Sequence, residues 1–487
     1  MALLKIKLTN GAEVEFLDSP IGSGAEKVVF FTKDKKEVVC FYKNLPDIVR
    51  DRHGRRSRLD NILAKHNCTT GAKGDYWKAH YCWPTGIMDG DRSIPTAFLS
   101  QHGLLNPPLA IVTASYPAEF FFKDRGGRTL EKNGKWFTSE KPRSRLPPEE
   151  KGNFLNYVRV CVKMARAVRK LHVTGLAHSD LSNKNVLIDP RNGSALVIDI
   201  DALVVPGIAP PTVLGTPGYI APEVVAGKGM PCIETDRHAL AVLIYETLLL
   251  RHPLRGPKVH HADPDQDDLL LFGARALFIE HHTDKSNAIK PPPAVPLSRL
   301  GPYLVELFNL AFIDGLHTKS KRPGVDRWER ALYHTLDLLH PSPGGGEWFV
   351  LAPGMPMNCP FTGKRLSQPV PFARLYLERK AGHFVDDHRT LTISQGLSLM
   401  KWHTVSGCSP GENADPTPQG YFQLHQGRWW LTNQSGVSLQ VINGAQVGNG
   451  QPIEITKGLK IRFPAPPAGS GQPLPTSRLL EFDFMQP

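Results

Sequence analysis

Apolar and polar positions alternate in short runs over residues 1–45, a pattern typical of β-strands joined by glycine-containing turns. Residues 47–67 then predict a basic helix, and residues 150–174 predict an amphipathic helix with apolar side chains at helical spacing. Helical runs dominate residues 236–340. From about residue 385 short alternating strands return. The pattern predicts an α+β region followed by an all-β domain.

Two stretches rich in Pro and Gly predict connections between these regions. "HPSPGGGEW" (340–348) is typical of a linker, which we extend over residues 339–384. "PAPPAGSGQPLP" (464–475) predicts a long loop before a last strand, "RLLEFDF". The all-β domain is therefore expected to span residues 385–487.

Size, charge and cysteine usage narrow the class of protein. The 487 residues suffice for two or three domains. The net charge of +12 comes without a nucleic-acid-binding motif, so we expect no nucleic-acid partner. The longest apolar stretch, 238–250, contains Glu246 and is too short to span a bilayer, so we expect no membrane association. Seven cysteines without a CxxC pair favour a reducing, cytoplasmic location.

Candidate chemistry lies in "LHVTGLAHSDLSNKNVLIDPRNGSALVIDID" (171–201). Asp180 and Asn185 are expected on a loop between apolar segments, and Asp199 follows the apolar run "SALVI". A carboxylate can accept the hydrogen bond of an attacking hydroxyl, while an amide oxygen and a second carboxylate can ligate Mg²⁺. This set suits phosphoryl transfer from ATP. The alternative is a pair of aspartates in hairpin turns.

A glycine-rich turn and a lysine lie upstream of this loop. "IGSGAEKVVFF" (21–31) places Gly22 and Gly24 between two strand-like runs, where glycine lets the backbone approach phosphate oxygens. Lys43 ends the next strand, "VVCFYK". A hairpin turn and a surface lysine are the simpler interpretations, but together the two features suit phosphate binding.

The stretch 171–201 resembles the catalytic and metal-binding loops of the eukaryotic-type (Hanks-type) Ser/Thr protein kinases. "GTPGYIAPE" (215–223) is similar to the end of their activation segment, and Asp236 to the buried aspartate of their long C-lobe helix. "KRPGVDRWERAL" is similar to their closing helix, whose Arg322 would pair with Glu223. The resemblance covers roughly residues 15–335.

This resemblance implies a bilobal kinase fold. The β-rich N-lobe would span residues 1–118 with a hinge near 114–118, and the helical C-lobe residues 119–338. It implies ATP and Mg²⁺ or Mn²⁺ as cofactors and a protein substrate. The resemblance also implies roles for individual residues: Asp180 would be the catalytic base, and Asn185 and Asp199 would bind the metal ion. Lys43 would hold the α- and β-phosphates of ATP. The residues that would surround the nucleotide are Gly22, Gly24 and Val29, which would cover it, and Ala114–Tyr116, which would contact its adenine.

The sequence departs from the family pattern at several positions. Lys27 replaces the third glycine of the phosphate loop, and Asp60 is the expected substitute for the helix glutamate that pairs with the lysine. Ser179 replaces the arginine that normally receives a loop phosphate, which predicts activity that depends little on loop phosphorylation. Two further positions depart from the pattern: Ser182 replaces a lysine, and Asp201 replaces the glycine of the metal-binding motif. Thr212 and Thr216 are candidate autophosphorylation sites.

The C-terminal stretch "GRWWLTNQSGVSLQVINGAQVGNGQPIEITKGLKIRF" (427–463) is similar to the second half of a forkhead-associated (FHA) β-sandwich, mainly through the Asn443-Gly444 turn. The phosphothreonine-reading motifs of that family are not apparent, and Ser398 and His403 have the wrong spacing. A degenerate FHA-like domain with a docking or structural role is expected.

Three functions stay open from the sequence. The favoured one is a bacterial cytoplasmic Ser/Thr protein kinase in signalling or stress response. By family analogy its partners include a metal-dependent protein phosphatase and a von Willebrand-type protein. The alternatives are a small-molecule kinase and a pseudokinase scaffold that binds nucleotide and protein partners.

Overall fold

The computed structural model of the protein describes residues 2–212, 214–465 and 476–487. The described residues form two compact units. Unit 1 consists of the chain up to Gly152, Val160–Lys290 and Phe308–Arg327, and unit 2 of Asn153–Arg159, Pro291–Leu307 and Trp328–Pro487. The loop predicted at 464–475 lies outside the described residues except for its first two positions.

Unit 1 contains an antiparallel sheet built from the N-terminal strands and two smaller hairpins. Its strands are β1 Leu3–Lys7, β2 Glu13–Ser23, β3 Lys27–Thr32, β4 Glu37–Tyr42, β5 Pro84–Asp89, β6 Leu109–Ala114, β7 Phe121–Lys123, β8 Thr129–Glu131, β9 Val186–Asp189 and β10 Ser194–Val197. The large sheet has the strand order β1-β2-β3-β4-β6-β5, while β7 pairs with β8 and β9 with β10. The strands expected over residues 1–45 are therefore confirmed.

The two faces of this sheet carry different side chains because residues in a strand alternate between faces. On one face Phe16, Phe30, Phe41 and Phe98 pack with ring centroids 5.3 to 5.9 Å apart. The opposite face carries a second buried cluster that includes Cys40, Tyr42 and Leu59. Since both faces are covered, β4 is an almost continuous apolar run.

The helices are short near the N-terminus and longer in the middle of the chain. They are α1 Pro46–Arg50, α2 Arg52–Leu63, α3 Gly74–Lys78, α4 Thr96–Gln101, α5 Glu140–Ser144, α6 Phe154–Val173, α7 Pro222–Val225, α8 Ile233–Leu249, α9 Pro264–Phe272, α10 Pro302–Asn309, α11 Val325–Leu336 and α12 Lys401–Thr404. The helix predicted over 47–67 is divided at Asp51, whose backbone is not helical. Its carboxylate pairs with the buried guanidinium of Arg58.

Helix α8 runs through the interior of unit 1. Nearly all of its side chains are buried, including the polar residues Asp236, His238 and Glu246. Such polar groups require partners inside the protein. The carboxylate of Glu246 accepts a hydrogen bond from the hydroxyl group of Tyr219, a residue of the GTPGYIAPE segment.

Unit 2 contains the β-rich C-terminal part of the chain. Its strands are β11 Leu339–Pro341, β12 Trp348–Val350, β13 Val370–Lys380, β14 His383–Thr392, β15 Ser398–Met400, β16 Pro418–His425, β17 Arg428–Asn433, β18 Leu439–Val441, β19 Gln446–Val447, β20 Pro452–Glu454, β21 Lys460–Phe463 and β22 Arg478–Met485. One sheet has the order β14-β13-β22-β21-β18-β19 and another β15-β16-β17-β20. Apolar side chains of both sheets, such as Leu375, Phe422 and Phe482, share one buried cluster.

The all-β domain begins earlier than its predicted boundary at residue 385. Part of the predicted linker 339–384 is strand: β13 lies between β14 and β22 in the larger sheet. Ala373 and Leu375 of this strand are in the shared apolar cluster. The error arose because the Pro- and Gly-rich stretches on the N-terminal side of β13 dominate the composition of that part of the chain.

Within the described ranges, no helix is long and apolar enough to cross a bilayer. All seven cysteines fall within the described residues and are free thiols.

The buried carboxyl group of Glu246 is expected to make stability depend on pH. Burial raises the pKa of Glu246 from 4.5 to about 7, although the hydrogen bond from Tyr219 opposes this. Between these values only the folded state holds the proton, so the free energy of unfolding falls as pH rises, by about 3 kcal/mol in total. Urea unfolding at pH 4 and pH 8 should show Glu246→Gln gaining about that much relative to the wild type at the higher pH.

The exposed Glu149→Gln variant is the control, since it changes the same charge without burial. An equal pH response of wild type and Glu246→Gln would contradict the assignment.

Candidate functional site

The loop between α6 and β9 and the segment after β10 are brought together by backbone pairing. Ala177 and Val204 exchange hydrogen bonds of 3.2 and 2.8 Å, and the N–H of Ile198 donates to the carbonyl oxygen of Asn185 at 3.0 Å. The two segments therefore run side by side. This pairing places Asp180 on one segment and Asp199 on the other within the same site.

Asp180 and Asn185 are in direct contact, as their spacing predicts. The side-chain amide nitrogen of Asn185 donates to the backbone oxygen of Asp180 at 2.8 Å and to its Oδ2 at 2.9 Å. The other carboxylate oxygen, Oδ1 of Asp180, is buried and has no hydrogen-bond partner among the described residues. Such an oxygen is suited to accept a hydrogen bond from a bound hydroxyl group.

Asp236 of α8 contacts the loop that carries Asp180. Its Oδ2 accepts the backbone N–H of His178 at 2.7 Å and lies 3.1 Å from Nε2 of His172. Asp236 is only 2% exposed, so it acts as the buried aspartate that the sequence predicted. Nε2 of His178 lies 2.9 Å from the carbonyl oxygen of Ile198, which links the loop to the residue before Asp199.

Lys27 is the cation that the structure places on the two aspartates after β10. Its Nζ lies 2.8 Å from Oδ1 of Asp199 and 2.7 Å from Oδ1 of Asp201. The side chain of Asp199 is 46% exposed, whereas that of Asp201 is 3% exposed. Burial alone would lower the pKa of Lys27, but the two carboxylates outweigh it and raise this pKa well above its usual value. Lys27 therefore stays charged.

A chain of polar contacts links Asp201 to helix α2. The hydroxyl of Tyr42 donates to Oδ2 of Asp201. Burial and the neighbouring Asp201 charge raise the pKa of Tyr42 well above its usual value, so it remains a neutral donor. The guanidinium of Arg55 lies 4.8 Å from the centre of the Tyr42 ring and pairs with Glu26 at 2.9 Å.

The structure does not bring Lys43 and Asp60 together. Nζ of Lys43 donates to the carbonyl oxygen of Gly24 at 2.6 Å, and Asp60 pairs with Arg56 of its own helix. Tyr42 is the last residue of β4 on the face that carries Cys40, and the next residue points away from it. The sequence pattern could not show which face of β4 meets the site, because side chains on both faces of this strand are apolar and buried.

The remaining predicted residues lie on strands of the N-terminal sheet or directly after them. Gly22 is paired with Val29 across the β2–β3 turn, and the N–H of Gly24 donates to the carbonyl oxygen of Lys27 at 2.9 Å. Ala114 is the last residue of β6. Tyr116 packs beside a buried cluster that contains Ile198, the residue before Asp199.

The donor set fits a divalent cation that is held only partly by protein. Among the described residues, no group of three or more His, Cys, Asp or Glu side chains is arranged to hold a metal ion. Mg²⁺ bound beside phosphates commonly takes only one or two protein ligands. Asn185 directs its amide nitrogen to Asp180, so its oxygen, together with Asp199, is available for such an ion.

The segment after this site is anchored at both ends. Ser179 donates its hydroxyl to the carbonyl oxygen of Ala202 at 2.8 Å. Arg322 makes a bidentate pair with Glu223 at 2.8 and 2.7 Å, which confirms the pairing that the sequence predicts. Arg322 also donates to the carbonyl oxygens of Gly315, Leu316 and Glu234.

Comparisons with known proteins agree with this geometry. The family model "Protein kinase domain" matches residues 138–291, a range that contains Asp180, Asn185 and Asp199. The atypical protein kinase C of Drosophila melanogaster is 35% identical over 114 residues, which cover 23% of this chain and 18% of that protein. The serine/threonine-protein kinases Pkn1 of Myxococcus xanthus and PknD of Chlamydia felis are 28% and 29% identical over 28% and 31% of this chain.

These alignments are partial. They span 21% of Pkn1 and 18% of PknD, so this chain covers only about a fifth of the length of the curated relatives it matches. Within that part, this chain is similar to a protein kinase domain and to kinases named as serine/threonine-specific, in agreement with the predicted kinase fold.

Removing Arg322 is expected to destabilise unit 1 strongly. Arg322→Met leaves Glu223 and three carbonyl oxygens without their donor, and breaking such a pair costs about 3 to 5 kcal/mol of unfolding free energy. Lys321→Met, at the exposed neighbouring position, is the matched control and should change this energy by less than about 0.5 kcal/mol. Chemical denaturation measures both, and equal stabilities would contradict the role of the pair.

Proposed function

We propose that the chain is an ATP-dependent protein kinase that transfers the γ-phosphoryl group of Mg-ATP to Ser or Thr hydroxyls of protein substrates. The observation that carries this proposal is the Asp180 carboxylate: Asn185 holds one oxygen, and the other has no partner among the described residues. Asp180 also lines a small cavity together with Thr216. In the kinase family that the sequence resembles, a threonine at the position of Thr216 contacts the catalytic base when the kinase is specific for Ser and Thr.

In the proposed reaction Oδ1 of Asp180 accepts the hydrogen bond of the acceptor hydroxyl and orients its oxygen towards the γ-phosphorus. The new bond forms between that oxygen and phosphorus, while the bond from phosphorus to the bridging oxygen breaks and ADP leaves. The hydroxyl proton passes to Asp180. Because Asn185 and Asp236 fix the loop, the carboxylate needs little rearrangement.

Asn185 and Asp199 would hold Mg²⁺ or Mn²⁺, the former through its amide oxygen. When bound, the cation would neutralise part of the phosphate charge. Gly22, Gly24 and Val29 would cover the nucleotide, and Ala114–Tyr116 would contact its adenine.

We also propose that this kinase autophosphorylates at Thr212 or Thr216 but does not require that modification. Ser179 stands where an arginine would receive the loop phosphate, and its hydroxyl is already bonded to Ala202. Arg58 of α2 donates to the carbonyl oxygen of Ala209 at 2.9 Å. Both contacts hold the loop without a phosphate.

The β-rich part of unit 2 is proposed to be a degenerate FHA-like docking module. His403, which has the wrong spacing for phosphothreonine binding, lies 3.0 Å from the carboxylate of Asp337, which Arg389 also contacts at 2.9 Å. A docking role fits bacterial cytoplasmic signalling, with a metal-dependent protein phosphatase and a von Willebrand-type protein as proposed partners.

Replacing the proposed base tests this function. Purified Asp180→Ala protein should transfer phosphate from Mg-ATP to itself and to Ser/Thr peptides at least about 100-fold more slowly than the wild type, because the general base is lost. Its affinity for Mg-ATP should stay within a few-fold of the wild type. The matched control is Asp75→Ala, which removes a carboxylate that is 97% exposed.

Mass spectrometry of the products should find phosphothreonine or phosphoserine in the wild type only. A wild type that binds Mg-ATP but transfers nothing would contradict the proposal and favour the pseudokinase scaffold. Transfer to small alcohols alone would favour a small-molecule kinase.

A further inference from the structure

We propose that Lys27 of β3, anchored by Asp201, is the cation that binds the phosphates of ATP, and that Lys43 does not have this role. This inference rests on the proposed function and assigns its phosphate-binding residue. It also implies that the site is completed without a carboxylate from helix α2.

The position of Lys27 relative to the proposed metal ligand is the first argument. Nζ of Lys27 lies 2.8 Å from Oδ1 of Asp199. Asp199 would hold the metal ion that accompanies the phosphates of ATP, so the phosphate oxygens would lie close to that carboxylate. An ammonium group already in contact with Asp199 is therefore within reach of the same oxygens. Lys27 also directly follows the glycine turn, since its carbonyl oxygen accepts the N–H of Gly24.

Two carboxylates contact the ammonium group of Lys27. Asp201 is buried, one of its oxygens contacts Nζ of Lys27, and the other accepts the hydroxyl of Tyr42. If Asp199 turns to a metal ion, Asp201 remains as the counter-charge and keeps the ammonium in place. Lys27, Asp199 and Asp201 carry a net charge of −1, which attracts a divalent cation to the site.

Other charged side chains near the glycine turn and on α2 contact different groups. The ammonium of Lys43 is bonded to the carbonyl oxygen of Gly24, on the loop rather than on Asp199 or Asp201. The α2 side chain that faces Tyr42 is Arg55, which carries the same charge as Lys27 and is paired with Glu26. Asp60 of the same helix pairs with Arg56. The carboxylate that holds the phosphate-binding cation thus comes from the segment after β10.

Lysine variants distinguish Lys27 from Lys43. Lys27→Met should lower kcat/KM for ATP at least about 100-fold, the cost of removing one preorganised cationic donor. Lys27→Arg, which keeps the charge, should recover part of the loss. Lys43→Met should stay within about threefold of the wild type, as should Lys33→Met, a surface control on the same hairpin whose side chain is 64% exposed. Loss of activity in Lys43→Met with retention in Lys27→Met would overturn the proposal.

A double variant tests Asp201 as the positioning residue and guards against misfolding. Lys27→Met leaves Asp201 buried without its cation, whereas Lys27→Met/Asp201→Asn removes both charges and should fold. Asp201→Asn alone should lower kcat/KM about tenfold, an effect expected of a supporting hydrogen-bonded charge, and should add nothing to Lys27→Met. Additive losses would show that Asp201 acts independently and would overturn the anchoring role.

Binding measurements separate this inference from the proposed function. Titration calorimetry with Mg-ATP in the Asp180→Ala background reports phosphate binding without turnover. The Lys27→Met change should weaken the Kd about tenfold or more, a typical loss for a charge-assisted contact, and Lys43→Met should not. If the wild type transfers no phosphate yet this binding difference is found, the proposed function fails while the assignment of Lys27 stands. Equal affinities of the two lysine variants would overturn the assignment.

Discussion

One buried carboxylate on α8, that of Asp236, accepts the backbone N–H of His178 and lies against His172, and this contact fixes the loop that carries Asp180. The helix can perform this task because almost its whole circumference is buried, so it moves with the core of unit 1 rather than with the surface. Asp180, Asn185 and, through His178 and Ile198, the segment of Asp199 all take their positions from it. A helix in the interior of unit 1 thus holds the proposed catalytic residues in place.

A second set of contacts works from the N-terminal sheet. Lys27, Tyr42 and Asp201 form a continuous polar path between β3, β4 and the segment after β10. Arg55 stacks on Tyr42 and extends the path to α2 without adding a carboxylate. A buried charge needs a partner wherever it is placed. Here Asp201 stands in the position where the related motif has glycine, and its negative charge pairs with Lys27.

Residues close together in the sequence were predicted correctly more easily than residues whose position depends on how strands and helices pack. Asp180, Asn185 and Asp199 lie in one contiguous run, so their spacing predicted that they would meet. Asp180 and Asn185 are in contact, and the residue before Asp199 donates its N–H to the carbonyl oxygen of Asn185. Lys43 and Asp60 required knowing which side of a strand and of a helix faces inward. A shift of one position reverses a strand side chain and turns a helix side chain by about 100°. The Lys27–Asp201 pair joins residues far apart in sequence, and only the folded chain shows it.

The same limit applied to the C-terminal domain, where β13 was hidden behind a stretch of proline and glycine. This strand lies between β14 and β22, with a neighbour along each of its sides. A polypeptide cut at residue 385 would keep both neighbours but lose the strand that satisfies their inner N–H and C=O groups. Unpaired edges of this kind bind other strands, including those of identical molecules, and cause aggregation. The domain is therefore separable from the preceding part of the chain only at a point before Val370.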